Sequence, residues 1–397
     1  MLTVAEAKRL LFSKVKVQPA VERKVTDSLE FVLSENIYCP YDNPLFNQSA
    51  MDGFAVRIDE APTEMKILSL QIVGETKAGD KPITHLKPGT AIRILTGAAV
   101  PKNATCVVMQ EKTEVKGKHV SIPAAAIIQG SNIRMKGTQI RKGELALKKG
   151  TKLNPASIGF LSSMGFAEAK VIRKPVVSIL STGNELRSPG QKLKPGQIYE
   201  SNSRMLDAAL KQTGFDSLHV SSVADNEKKI SAEVKKMLQG SDVIIISGGI
   251  SVGKYDLVKK VLTKLGVKEI FYKVSQKPGK PLFTGFIKDK MVFAVPGNPA
   301  ASLVCFYEYV VPSLRKMSGL SDYQLKTEFI PLSDSFHMKS DRDLFLRAKV
   351  EMGKVQIPGG QESNMLKSFS EANALAYLPA GARRISKGEK VEVHLLF

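Results

Sequence analysis

The hydrophobic pattern is most regular over residues 174–320, where short apolar runs alternate with stretches of helical spacing. Val243–Ile246 is a run of four β-branched residues leading into Ser247, Gly248 and Gly249. Such a run reads as a strand buried on both faces. After Gly253, Val258, Val261, Leu262 and Leu265 recur at helical intervals. The alternation repeats on either side. Val176–Ser181, Leu218–Val223 and Met291–Val295 predict strands. Helices are predicted over 203–213, stopped by Gly214, over 226–238 with Ile230, Val234, Met237 and Leu238 on one face, and within 299–316. A βαβ series gives a parallel sheet with right-handed crossovers, and such sheets bind ligands outside the carboxyl ends of their strands.

The flanking regions have other periods. Thr3-Val-Ala-Glu6 is a capping box that predicts a helix to about Ser13, and Val25, Leu29 and Val32 give helical spacing to residues 20–37. Between 46 and 138 the pattern is short strands, at Asp52–Ile58, Met65–Val73, Thr90–Leu95 and Ala104–Gln110, with a hairpin turn over Val115–His119. Pro155–Met164 predicts a helix in a connector, and residues 326–397 show short apolar runs between glycine turns. The expected fold class is multidomain α/β plus β. Residues 1–45 and 139–173 form a helical lead-in and connector, 46–138 a mainly β module, 174–325 the parallel-sheet α/β domain, and 326–397 a small C-terminal β-barrel.

Composition narrows the chemistry. Three cysteines, Cys39, Cys106 and Cys305, lie far apart without a CxxC, which supports neither a disulfide framework nor a cysteine zinc site. No apolar run reaches membrane-span length and the N-terminus lacks a signal-peptide core, so a cytoplasmic protein is expected, without a membrane partner. The net charge of +20 raises the question of nucleic acid. The lysines are spread in ones and twos and Trp is absent, so stacking platforms are scarce; a host with a basic proteome, or an anionic substrate, explains the charge as well, and no nucleic-acid partner is expected.

The candidate chemistry falls at the predicted strand ends. Gly248 and Gly249, with Ser251, form a glycine-rich turn between strand and helix, where backbone N–H groups can meet an anion. Glu185, Asp225 and Asp256 follow three strands, Lys273 and Lys277-Pro-Gly-Lys280 lie near them, and Pro296-Gly-Asn-Pro299 ends the last strand. Carboxylates and lysines at one mouth suit a metal-bridged anionic ligand, since Mg2+ takes carboxylate and phosphate oxygens together. Each residue also has a plainer reading. Asp225 and Asp256 suit helix N-caps, Asn298 and Pro299 suit the cap and first helical position, Asp52 suits an Asx turn, and Thr96 is an ordinary loop hydroxyl.

Eight runs, in order, carry a resemblance. They are NQSAMDGFAV (Asn47–Val56), RILTGAAVP (Arg93–Pro101), NIR (Asn132–Arg134), STGNEL (Ser181–Leu186), GQIYESN (Gly196–Asn202), SGGISVGKYD (Ser247–Asp256), KPGKP (Lys277–Pro281) and PGNP (Pro296–Pro299). Together they resemble the molybdopterin molybdenumtransferase family, which includes MoeA and the gephyrin E domain, along the whole chain. The resemblance implies insertion of molybdate into adenylylated molybdopterin with Mg2+ and release of AMP. It implies a four-domain homodimer whose sheet domain has the molybdopterin-binding fold, with a molybdopterin adenylyltransferase as possible partner. Carried over, Glu185, Asp225 and Asp256 bind metal or position substrate; Lys273 and Lys277 bind phosphate or molybdate; Pro296 and Pro299 shape the molybdate pocket. Asp52 and Thr96 complete the cleft from a partner subunit, Arg134 is an anion ligand, and Arg347 and Ser368 contact molybdate. Because the dithiolene sulfurs belong to the substrate, no catalytic cysteine is required. One departure stands out: the family's Gly-Glu-Asp after NIR is here Gly137-Thr138-Gln139, an amide in place of a carboxylate. Two other readings stay open on these residues, an adenylyltransferase-like enzyme and a degenerate paralogue acting as a cofactor-binding scaffold.

Overall fold

Burial on both faces builds the central sheet. The computed structural model describes residues 1–59, 66–250 and 256–396. Two compact units divide the chain: Met1–Arg23, Asp27–Ser34 and Ala169–Phe397 in one, Lys24–Thr26 and Glu35–Glu168 in the other.

In the first unit, α1 (Val4–Lys14) starts at Thr3, whose hydroxyl accepts the Glu6 N–H while Glu6 takes the Thr3 N–H, the expected capping box. The sheet domain then runs β1 (Val177–Thr182), α2 (Asn202–Gln212), β2 (Ser217–Val223), α3 (Glu227–Gly240), β3 (Val243–Ser247), α4 (Leu257–Lys264), β4 (Lys268–Lys273), β5 (Pro281–Ile287) and β6 (Lys290–Val295). Across the sheet the order is β2-β1-β3-β6-β5-β4. The first four are mutually parallel, as expected; β5 and β4 are added antiparallel and were not foreseen. The centre is β3. Val243 and Ile245 enter one core, with α1, α2 and the helix after β6, while Ile244 and Ile246 enter the opposite core, with α3 and α4. Successive side chains of a strand point to opposite faces, so four β-branched residues serve two apolar layers. The helix after β6 is continuous through α5 (Pro299–Cys305), a π turn over Phe306–Val310, and α6 (Val311–Met317).

The same unit carries a β-rich C-terminal domain. Its strands Thr327–Pro331, Asp343–Glu351, Ala374–Leu378 and Lys390–Leu395 share one sheet, and Phe336–Ser340 pairs with Gly381–Ile385. Leu344, Leu346, Ala374, Ala376 and Val393 pack with Met338 and Ile385 in one core. Gln276–Lys277, from the loop between β4 and β5, joins this sheet in parallel with Asp343–Leu344.

The second unit is mainly β, ordered Cys106–Met109, Gly53–Val56, Thr90–Ile94, Ile67–Thr76, His119–Pro123 and Glu114–Lys116. The helix Pro155–Ser163 begins at an Asn154 cap, again as expected. The expected helix over residues 20–37 is absent. Ala20–Lys24 and Val32–Leu33 are strands, and Val25–Asp27 is one 3-10 turn. Glu30 has φ of 68°, which no α-helix admits, and Val32–Leu33 instead pairs with Val171–Ile172. Tertiary pairing overrides a local periodicity whose own Leu29 is left exposed.

Candidate active site

Register brings the site together. Ser181 lies opposite Ser247, Ser247 opposite Val295, and Thr182 opposite Val223, so the four parallel strands end on one edge. The segments leaving that edge enclose a cleft of about 770 Å³. Of the predicted residues it gathers Glu185, Asp225, Gly248, Gly249, Lys280, Pro296 and Pro299. Gly248 has φ of 91°, and a Cβ there would sit 2.3 Å from the Thr182 carbonyl oxygen. A Cβ on Gly249 would lie 2.6 Å from Thr182 Oγ1 and from Val258 Cγ2. Only glycine lets the β3 turn lie this close to β1.

The cap alternatives separate. The N-cap of α3 is Asn226, whose Oδ1 accepts the Lys228 and Lys229 N–H groups at 3.0 and 3.1 Å, so Asp225 is not spent on capping. Glu185 and Asp225 are both exposed at the cleft. Asn298 occupies the cap position of α5 with Pro299 first in the helix, yet its Nδ2 donates to Ser363 Oγ at 2.7 Å instead of capping. Asp256, by contrast, is the cap of α4: Oδ1 accepts the Lys259 N–H at 2.9 Å and Oδ2 accepts the Tyr272 hydroxyl. Burial first, and then the Asp256 carboxylate, push the Tyr272 phenol up.

Sequence reasoning missed the cleft floor. Asn202 Nδ2 donates to Ser247 Oγ at 2.9 Å and to the Gly297 carbonyl at 2.7 Å. Its Oδ1, like Thr182 Oγ1, is buried without a partner, and both residues line the cleft. Buried polar atoms are ordinarily satisfied, so an unpaired pair on a cavity floor is what a polar ligand would complete. Glu200, buried, accepts from the Ser203 N–H and hydroxyl and from Arg204 Nη1, which fixes the start of α2 beside Asn202. The signal was present in the run Glu200-Ser201-Asn202, which carried a resemblance but no assigned role.

Other predicted residues lie outside this cleft. Lys273 is half-buried with Nζ 5.3 Å from the Tyr272 ring centroid, and Lys277 is exposed on the strand paired with Leu344. Ser251 falls outside the described residues. Arg347 is fully buried in the C-terminal domain, where Nη2 donates to the Gly360 and Glu362 carbonyls at 2.6 and 3.0 Å and Nε to Ser368 Oγ at 3.3 Å. Burial lowers its pKa, and Nη1 has no partner. The loop it holds reaches the cleft only at Asn364. In the second unit, Asp52 Oδ1 accepts both the Thr96 hydroxyl and the Thr96 N–H at 2.7 Å, which hold the carboxyl below the usual range. The expected Asx turn is thus a cross-strand link. Arg134 is exposed on a short strand opposite Gln48, and Gln139 is exposed with its N–H on the Asn43 carbonyl.

The donor set decides what metal could sit here. Among the described residues no group of three or more His, Cys, Asp or Glu could hold an ion. The expected triad is not clustered among the described residues: Asp256 bonds within α4 and to Tyr272, while Glu185 and Asp225 line the cleft. Two carboxylates fit Mg2+, which usually keeps waters and substrate oxygens for its other positions. No helix among the described residues is long and apolar enough to cross a membrane.

Three family descriptions match the chain in order. They are the MoeA N-terminal region (domain I and II) over residues 2–165, a probable molybdopterin binding domain over 178–316, and the MoeA C-terminal region (domain IV) over 330–396. A molybdopterin molybdenumtransferase of Nostoc is 35% identical over 373 residues, covering 91% of this chain and 85% of its own length. One from Haemophilus influenzae is 30% identical over 407 residues and covers 100% of both chains. The crystal structure of a molybdopterin biosynthesis MoeA protein from Pyrococcus horikoshii matches with a TM-score of 0.84 at 32% identity, covering 100% of this chain and 99% of that one. Likeness of this extent, in sequence and in fold, is that of one family, and the chain belongs to the molybdopterin molybdenumtransferases, the transferases of molybdenum cofactor biosynthesis.

Proposed function

We propose that the sheet-edge cleft joins molybdate to adenylylated molybdopterin, with Mg2+ present and AMP released. The observation that carries this reading is the meeting, in one cleft, of two uncommitted carboxylates, the Lys280 ammonium and a floor of unpaired polar atoms. The reactants are both anions and repel each other. In a cleft partly shielded from water that repulsion is stronger than in bulk solvent, so bringing them together is the chief task of the protein. Glu185 and Asp225 would hold Mg2+, which supplies charge neutralisation between phosphate oxygens. Lys280 adds a point charge, and glycine at 248 and 249 lets the β3 turn on the cleft wall pack closely against β1. Thr182 Oγ1 and Asn202 Oδ1 orient a polar edge of the substrate. Asp52, Thr96, Lys273, Lys277, Arg347 and Ser368 belong to the same proposal through the family resemblance.

The test is incubation of the purified chain with adenylylated molybdopterin, Mg2+ and molybdate, following AMP by chromatography. Molybdate-dependent AMP release is expected. AMP released equally without molybdate, or none at all, would overturn the reading. The proposal extends to a homodimer in the cytoplasm that receives its substrate from a molybdopterin adenylyltransferase; light scattering at the mass of a single chain would remove the dimer.

A further inference from the structure

The loop between β4 and β5 carries Lys280 to the cleft wall, and it is folded around a buried amide. Gln276 has no exposure. Its Nε2 donates to the Pro278 carbonyl at 3.1 Å, and its Oε1 accepts the Tyr309 hydroxyl. A carbonyl can only accept, so the Pro278 contact fixes which way the amide points and turns its oxygen to the phenol. Tyr309 is also fully buried. It stands on the π turn, one residue after Glu308, with its ring edge-on to Phe271 at 6.4 Å. The phenol thus reaches the loop from a helix set in the core.

The loop has little slack. The Val274 N–H closes its base on the Lys280 carbonyl at 3.1 Å. A Cβ on Gly279 would sit 2.6 Å from Gln276 Nε2 and 2.7 Å from Cys305 Sγ, so the backbone just before Lys280 lies directly on the amide and on α5. The amide touches Pro278 and Gly279, the two residues before Lys280, and Tyr309 holds the amide. Neither Gln276 nor Tyr309 lines the cleft, and no sequence motif singled them out.

We infer that Gln276 and Tyr309 are positioning residues, a buried clasp that sets the Lys280 ammonium against the anionic ligand of the cleft. The inference rests on the proposed anion at Lys280. Without the phenol oxygen, Oε1 is left buried and without a donor, a state that an amide escapes by turning. Turning withdraws Nε2 from the Pro278 carbonyl and frees the loop at its middle. The ammonium then loses its fixed place, although no residue of the cleft has changed.

Molybdate and AMP are the probes, each titrated by calorimetry into the full chain with Mg2+ present. Tyr309→Phe keeps the ring and removes the hydroxyl. Affinity for at least one of the two anions should fall about tenfold, the lower end of what a hydrogen bond to a charged group is worth, and Lys280→Ala should weaken the same anion. The double variant Tyr309→Phe/Lys280→Ala should bind it no more weakly than Lys280→Ala alone, the non-additivity of residues that act through one group. Gln276→Met, which keeps the side chain's length and removes the amide, gives the same reading by a second route should Tyr309→Phe not fold. A merely structural clasp would lower the urea midpoint and leave the folded chain's affinity unchanged. Wild-type affinity for both anions in these two variants overturns the clasp, and so does a double variant that loses both factors in full. Lys280→Ala separates the two failures. Affinity unchanged there, or a wild type that binds neither anion, removes the anion from Lys280 and the clasp's role with it; affinity lost there but kept in Tyr309→Phe overturns the clasp alone.

Discussion

Two clusters of charge in the same unit are built in opposite ways. At the sheet edge, Glu185 and Asp225 are exposed and uncommitted. At the junction of α1, the π turn and the C-terminal domain, a chain of charges is buried and saturated. Lys8 Nζ meets Glu308 Oε2 at 2.5 Å, Glu308 Oε1 meets His394 Nδ1 at 2.7 Å, and His394 Nε2 meets Glu392 Oε1 at 2.9 Å. Burial alone would raise Glu308; the Lys8 charge and His394 outweigh it and hold the carboxyl down to about 2. The same carboxylate, working against burial, pushes His394 up to about 9. A cavity of about 560 Å³ lies over this chain, but Lys8, Glu308, Glu392 and His394 on its wall are already paired with one another. Perturbed ionisation often marks a reactive site. Here it marks a structural joint, while the reactive candidates are recognised by what they lack, a protein partner.

The contrast is sharpest under mutation. Glu308→Gln leaves Lys8 and His394 facing a neutral amide in a buried setting. Loss of one partner of a buried pair costs about 3–5 kcal/mol, so a clear fall in the urea midpoint is expected with turnover per folded molecule unchanged. Glu185→Gln should do the reverse. AMP release should fall about 100-fold or more, as when an electrostatic contact to a reacting group is removed, and the midpoint should stay put. If Glu308→Gln spared stability, or Glu185→Gln spared turnover, the division of labour between the clusters would be wrong.

A smaller effect separates the clusters by pH. Glu308 is depressed from an ordinary 4.5, so its contribution is complete above that value and drains away as pH falls toward about 2. His394 is raised from an ordinary 6.5, so its contribution is complete below that value and is lost as pH climbs through about 9. Urea midpoints of the wild type should therefore decline on both sides of a plateau lying between those ordinary values. His394→Gln should flatten the alkaline decline and only reduce the acid one, because Lys8 still holds Glu308 down. An alkaline decline of equal size in His394→Gln would assign it to other groups.

How far the sequence could be read follows from how local each feature is. The Thr3–Glu6 box and the alternation of Val243–Ile246 depend on neighbours and were legible. The sheet edge was legible because every βα turn of a parallel sheet opens on the same side. Residues 20–37 were misread because Val32–Leu33 answers to Val171–Ile172, more than a hundred positions away. The strand at Gln276–Lys277 was not legible because its partner, Asp343–Leu344, belongs to the C-terminal domain. The joint Lys8–Glu308–His394 spans nearly the whole chain and leaves no motif. Asp225 and Asp256 had equal claims as caps and as ligands. Only the structure shows that Asn226 took the first cap and left Asp225 free, whereas Asp256 had no such substitute.

The least disruptive change concerns Gln139, which stands where the resemblance leads one to expect a carboxylate. Its N–H donates to the Asn43 carbonyl at 3.0 Å and its side chain is exposed, so the backbone, not the amide, holds the segment. Gln139→Asp should then change stability by less than about 0.5 kcal/mol, the usual range for exposed positions. It adds one negative charge, and nearby Asp42, already paired with Lys136 Nζ at 3.3 Å and accepting the Lys142 N–H at 2.9 Å, shows that the segment can accommodate a carboxylate. If a carboxylate here assists the family reaction, Gln139→Asp should raise turnover and leave the urea midpoint alone. Turnover that rises only with a change in midpoint would mean that the amide is structural. A variant with neither change would mean that the two cleft carboxylates suffice, and that the departure at this position is neutral.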